Sequence, residues 1–260
     1  TPGNAAAGDG GFGDAGGQTR TITVADGAAS EDLVITAAIS NGGITKAAVS
    51  VSAQLGLLAV FIAVGIGIPL GLISALKQNT WVDYLATLAS IVGFVTPHFV
   101  WGILFILIFS LALKWLPTGG WEGPKTWIMP VVAYCLAPIA TIARYTRAAV
   151  IEVLRPDYVR TARAKGLRDR VVIGRHVLRN ALIPVVTVIG LEFAGMLGGA
   201  VFIESVFARP GLGRFAVNAI AARDYPQVQG TVLFAATIYV LFNLAVDLLY
   251  GFLDPRIRYD

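Results

Sequence analysis

The chain has 260 residues, 56% hydrophobic and only 14% charged, with a mean hydropathy of +0.71. A water-soluble domain carries about 25% charged residues, so this chain cannot cover a water-facing surface of its size, and its hydrophobicity excludes disorder. A single cysteine, Cys135, rules out a disulfide framework, and two distant histidines, His98 and His176, argue against a histidine-rich zinc site.

In chain order, residues 1–45 are rich in Gly, Ala and Asp, with one short alternating stretch, Thr21-Ile22-Thr23-Val24. Their composition predicts an external linker of low order. Lys46 and Lys77 then bracket thirty uncharged residues, and Asp83 and Lys114 bracket another thirty. Lys125 and Arg144 enclose eighteen, Arg179 is followed by twenty-four interrupted only by Glu192, and Asp224 and Asp247 enclose twenty-two. Crossing the hydrocarbon core takes about 20 apolar residues in a helix. The runs therefore predict five spans, near 50–76, 84–112, 127–147, 180–203 and 227–250. They are apolar on every face, which excludes the alternating pattern of a membrane barrel, and backbone groups in lipid need partners within their own segment. The fold class is all-α, a polytopic transmembrane helical bundle over residues 46–260.

Orientation follows from Lys and Arg, which concentrate on the cytoplasmic side. Ten of the twenty fall between Arg144 and Arg179. Placing that loop, 148–180, inside puts thirteen on the cytoplasmic side and seven outside, with residues 1–45 external and the C-terminus cytoplasmic. The net charge of +4 follows from this bias and implies no nucleic-acid partner. An external N-terminal segment needs something upstream to carry it across the membrane. The chain begins Thr-Pro-Gly-Asn, with neither Met nor a signal-peptide pattern, so the expectation is a fragment lacking at least one upstream helix.

The loop 148–180 predicts two short basic helices. Pro156 and Asp157 open the first, with Asp157 as cap. Gly166 ends it, because glycine enters the left-handed region cheaply. Asp169 caps the second, Arg170 to Leu178, whose Val172, Ile173, Val177 and Leu178 line one side. Such a hinged pair suits either the anionic inner leaflet or a soluble protein with an acidic groove. The external loop 204–226 holds Glu204-Ser-Val-Phe-Ala-Arg-Pro-Gly-Leu-Gly-Arg214, with a turn at Pro210-Gly211. Its apolar content predicts that it folds back onto the helix ends or, as the alternative, touches an external partner.

Two carboxylates lie inside spans, and an intramembrane carboxylate faces a cavity or a partner by default. Glu192 is either the polar lining of a solute path or a hydrogen-bonded carboxyl at a helix interface. Asp247 reads as a structural ion pair with Arg256 or Arg258. Gly67 with Gly71, and Gly195 with Gly199, form small-residue faces that allow close helix approach. Pro69, Pro97 and Pro138 kink their helices, and Pro184 marks a kink or an end. His98, His176 and Cys135 read as packing or interface residues. No GxxxxGK[ST], HExxH or GxSxG motif occurs.

Three ordered motifs carry a family resemblance. Asp157-Tyr-Val-Arg-Thr-Ala-Arg-Ala-Lys-Gly166-Leu167, followed by Arg175-His-Val-Leu-Arg-Asn-Ala-Leu-Ile-Pro184, resembles the cytoplasmic signature of binding-protein-dependent ABC importer permeases, more narrowly the dipeptide, oligopeptide and nickel group. Glu204 to Arg214 is similar to that group's external motif, and Asn243 to Tyr250 with Leu253 to Tyr259 to its C-terminus. The general signature has Glu-Ala-Ala where this chain has Arg160, Thr161 and Ala162, a variant that looks normal for the peptide group.

The resemblance implies a permease subunit, not itself an enzyme, with no cofactor. It sits in a bacterial-type plasma membrane and moves di- or oligopeptides or a related small solute by alternating access. The implied partners are a second homologous permease subunit, two ATP-binding subunits, an extracytoplasmic solute-binding protein and membrane lipid. Asp157, Arg160, Thr161, Ala162, Lys165, Gly166 and Leu167 would couple to the ATPase, and Glu192 would line the translocation path. The group has six helices, so the missing one would be the first. Two other classes compete. An ion-coupled secondary transporter would use Glu192 and Asp247 but would show inverted repeats, and no internal repeat is visible. A membrane scaffold would recruit a soluble partner through the basic loop.

Overall fold

The computed structural model describes residues 42–120, 123–155, 157–197 and 201–253. Residues 1–41 lie outside them, so the predicted external segment is not described. Among the described residues every regular element is helical.

Helix α1 (Gly42–Leu76) is 35 residues long and starts eight residues before its predicted span. Helix α4 (Lys125–Leu154) has 30 residues and is the hub, packing against α1, against α2 (Trp81–Val95), against α3 (His98–Phe105) and against α7 (Arg179–Leu197). It buries Met129, Ala133, Ile142 and Val150 in the core. The Gly67 and Gly71 face of α1 seats on it. A Cβ on Gly67 would meet the Ile142 side chain at 2.9 Å, and one on Gly71 would collide with the Ala143 carbonyl. The predicted small-residue face is thus a packing face within the subunit.

The second predicted span, 84–112, is not one helix. Thr96 ends α2 in extended conformation (φ −81°, ψ 120°), as the residue before a proline prefers. Pro97 then opens α3, which continues as a π-helical segment, Ile106–Ala112. The two halves meet at 99°. Sequence predicted a kink at Pro97; the extended residue ahead of it turns the kink into a near right angle. Among the described residues four other helices are long and apolar enough to cross a membrane, or five spans in all if the bent pair counts as one.

Helix α4 runs seven residues past its predicted span, so the loop predicted to be cytoplasmic starts later than expected. Helix α5 (Asp157–Ala164) is followed by α6 (Asp169–Val171), which passes through a π-helical segment, Val172–Leu178, directly into α7. The second basic helix and the fourth span, read separately in sequence, form one continuous run, and of the two readings of Pro184 the end is excluded, since it sits inside α7. Most of the predicted external loop is also helical, as α8 (Val201–Val206) and α9 (Leu212–Ala221), before α10 (Tyr225–Leu253).

Two polar clusters mark the ends of α1. Near one end, the Ser74 hydroxyl donates to Asp83 at 2.6 Å, and Arg147 grips the same carboxylate through Nε and Nη2 at 2.7 and 2.8 Å. Near the other, the Ser52 hydroxyl donates to Glu204 at 2.5 Å. Twenty-two residues separate the two serines, about 33 Å of helix, which matches the hydrocarbon thickness.

Candidate functional site

The predicted coupling segment folds as a helix, a left-handed turn and a second helix. Gly166 takes φ +76° and donates to the Arg163 carbonyl at 2.9 Å, closing α5. Arg168, in extended conformation and without a side-chain capping bond, holds the N-cap position of the second helix, so Asp169, predicted as the cap, is its first residue. From there Asp169 pairs with Arg163 across the turn at 3.3 Å, both side chains exposed. Such a pair contributes little in water. Val159, Ala162, Val172 and Val177 are buried together and clamp α5 onto the π-helical segment. Asp157, Arg160, Thr161, Lys165, Gly166 and Leu167 remain exposed. Ala162, grouped with them in sequence, faces inward instead, at 7% exposure. Helical spacing separates it from Arg160 and Thr161, a distinction visible once the buried face of α5 is known.

Glu192 is half-buried on α7 and lines an open cleft of about 340 Å³ with His98, Tyr134, Pro138, Leu191, Gly195 and Met196. Tyr134 is fixed by donating its hydroxyl to the Met196 carbonyl at 3.1 Å. His98 meets the Tyr134 ring edge-on at 5.5 Å, and its buried Nδ1 has no hydrogen-bond partner among the described residues. Nothing in the spacing joins His98 to Glu192; the bend at Pro97 does. Nor is Gly195 a packing residue. A Cβ there would meet nothing within 4 Å, so the glycine widens the cleft. Gly199 lies outside the described residues. Asp247 falls on α10, but its side chain and its predicted partners Arg256 and Arg258 lie outside the described residues, and so does the predicted ion pair.

The motif predicted to be external folds back onto the helix ends. Glu204 is fully buried and accepts from the Ser52 hydroxyl and from the backbone N–H groups of Gly213 and Arg214, at 2.8 and 3.2 Å. A carboxylate here satisfies the otherwise open N–H groups at the start of α9 and complements its dipole. Ser52 accepts in turn from Leu212 N–H at 2.8 Å. Gly211 lies so close to the Glu204 carboxylate that a Cβ would overlap it. Ala208 takes φ +53° and turns the chain out of α8. Arg209, also buried, lies 3.7 Å over the Trp127 ring and donates to the Thr126 carbonyl at 3.3 Å. The motif therefore bolts α1, α4, α8 and α9 together at one end of the bundle.

A bundle of apolar helices with a half-buried carboxylate in an open cleft, and a basic helical pair at one end, defines a membrane transport protein. Comparison places it further. Residues 67–259 match the family described as Binding-protein-dependent transport system inner membrane component, and the chain belongs to that family. It is thus a multi-pass permease subunit of the inner membrane, which decides against the secondary-transporter and scaffold readings. Among its relatives is a dipeptide transport system permease protein of Bacillus subtilis, 44% identical over 208 residues, 80% of this chain and 68% of that protein. Another is an oligopeptide transport system permease protein of Escherichia coli, 45% identical over 211 residues, 80% and 69% of the two chains. A third is a glutathione transport system permease protein of Pectobacterium atrosepticum, 45% identical over 76% of this chain and 64% of that one. Among solved structures, an inward-facing MetNI methionine ABC transporter aligns over 81% of this chain and 96% of that one, with TM-score 0.68 and 15% identity. An amino acid ABC transporter aligns over 86% and 98%, with TM-score 0.61 and 21% identity. These two establish the fold alone.

Proposed function

We propose that this chain moves short peptides across the membrane by alternating access, paired with a second permease subunit and driven by two ATP-binding subunits. Peptide transport is supported by the relatives' names at 43–45% identity. Solute would arrive from an extracytoplasmic binding protein, at the side closed by the Glu204 motif, with the α5–α6 pair in the cytoplasm. The thirteen-to-seven distribution of Lys and Arg supports that orientation.

One observation carries the coupling role. The helix–turn–helix of α5 and α6 buries one face on its own chain and offers Asp157, Arg160, Thr161, Lys165 and Leu167 outward around Gly166. A lipid-bound helix would be nearly indifferent to a bulky residue on that face, since its affinity scales with charge and apolar area. A helix seated in a protein groove is not, because packed interfaces tolerate overpacking poorly. Ala162 is unsuited to the test, since bulk there would lever α5 off Val172 and Val177. Thr161→Trp changes only the exposed face. It is expected to leave membrane insertion and permease pairing intact and to abolish co-purification of the ATP-binding subunits. Normal ATPase recovery with Thr161→Trp would refute the docking role.

A further inference from the structure

The cleft beside α7 offers acceptors and little else. Glu192 enters neither of the ion pairs formed among the described residues, and no Lys or Arg stands among the described residues that line the cleft. The hydroxyl in the lining is spent, because Tyr134 donates it to the Met196 carbonyl at 3.1 Å. A carboxylate within an apolar span is costly unless it faces a cavity or a partner. Here it faces a cavity of about 340 Å³, which Gly195 keeps wide by having no side chain.

Two further acceptors belong to the same lining. The buried Nδ1 of His98 has no hydrogen-bond partner among the described residues, and a neutral imidazole protonated on its other nitrogen presents that atom as a lone pair. Pro138 lies inside α4. Having no N–H, it leaves the carbonyl four residues back without its helical donor. That carbonyl is Tyr134's, and Tyr134 and Pro138 both line the cleft. In an apolar span a freed carbonyl needs another donor. The sequence therefore brings together one carboxylate, one imidazole and one backbone carbonyl, from α7, α3 and α4.

We propose that this cleft receives a primary ammonium group, the free amino terminus of the transported peptide, with Glu192 countering its charge. The reading rests on the peptide transport proposed above and on the cleft being part of the solute path. An ammonium leaving water needs its charge countered and its N–H groups received. Its three donors match the three acceptors of the lining. A hard divalent metal ion would take six or more oxygens, whereas this lining holds a single carboxylate. Half-burial of Glu192 keeps the attraction weak enough for the solute to leave again.

The test uses the complete transporter, with its binding protein, in proteoliposomes. Uptake of trialanine and of N-acetyl-trialanine, which lacks the ammonium, is compared in wild type, Glu192→Gln and Glu192→Asp. The binding protein's own preference is common to all three and cancels when the free-to-acetylated ratios are compared. Glu192→Gln is expected to shrink that ratio about fivefold or more, and Glu192→Asp, which keeps the charge, to retain most of it. Equal scaling of both solutes by Glu192→Gln overturns the inference, as does an equal fall of the ratio in both variants. A second measurement leaves Glu192 in place. Gly195→Cys, with Cys135 replaced by Ala, is treated with a hydrophilic thiol reagent during ATP turnover, each peptide being present at saturation of the binding protein. Slower labelling with trialanine than with N-acetyl-trialanine supports the site. Equal labelling rates defeat the ammonium site alone. No labelling at all, or no wild-type uptake of either peptide, defeats the underlying solute-path or peptide-transport reading and the inference with it.

Discussion

Gly166, Gly71 and Gly195 are chemically identical and do three different things. At Gly166 the backbone has φ +76° and a Cβ would touch nothing. Only conformation penalises a side chain there, at about 1 kcal/mol for Ala and more for a β-branched residue. Gly166→Val is expected to insert normally but to uncouple ATP hydrolysis from transport, measured as ATPase activity that no longer responds to solute-loaded binding protein. Gly71 has ordinary helical geometry but no room, because Ala143 and Thr146 of α4 press against it. Gly195 has room and ordinary geometry. Gly195→Trp is therefore expected to keep the melting temperature of the purified complex and to block uptake by filling the Glu192 cleft. The three were legible in sequence only as small residues, since a glycine's surroundings come from other parts of the chain.

Among elements, the Glu204 motif makes the clearest energetic claim. Its carboxylate serves three donors from α1 and α9 in a fully buried site. Glu204→Ala strands the Ser52 hydroxyl and the Gly213 N–H, at about 1–3 kcal/mol for each unsatisfied group. Thermal unfolding of the detergent-solubilised protein should show a clear drop in Tm, while Ser205→Ala, on an exposed hydroxyl that bonds only within its own helix, should not. Sequence placed this segment in an external loop that folds back, and its resemblance to a family motif marked it. That the motif is a bolt emerged only when Ser52, 152 residues away, was found at its carboxylate. The same limit hid Asp83 and Arg147. In sequence Asp83 only opens an apolar run and Arg147 only adds to the basic cluster that starts at Arg144, yet each turns out to be the other's partner.

At the scale of the whole molecule, the two polar clusters define a slab about 33 Å thick between them, and the charge bias assigns its sides. A cysteine at exposed Arg168 should resist a membrane-impermeant thiol reagent in intact cells, whereas one at exposed Ala222 should react, in a background with buried Cys135 replaced by Ala. The opposite pattern would invert the topology. Helix α10 leaves Val232, Val240, Leu241, Leu244 and Leu248 exposed. That apolar face needs lipid or a second subunit, as a lone chain in water would not tolerate it.

Sequence alone determined the membrane class, the number of apolar runs, the left-handed glycine in the basic loop and the family. Each of these is written locally, in hydropathy, in charge or in a short motif, and a local signal survives without knowledge of neighbours. Tertiary structure alone decided that the second run bends by 99°, that the basic helix runs unbroken into α7, that Ala162 faces inward, and that His98 lines the cleft of Glu192. These depend on which helix faces which. In a chain apolar on all sides, side-chain pattern does not say which face is covered, because lipid and protein present nearly the same surface to it.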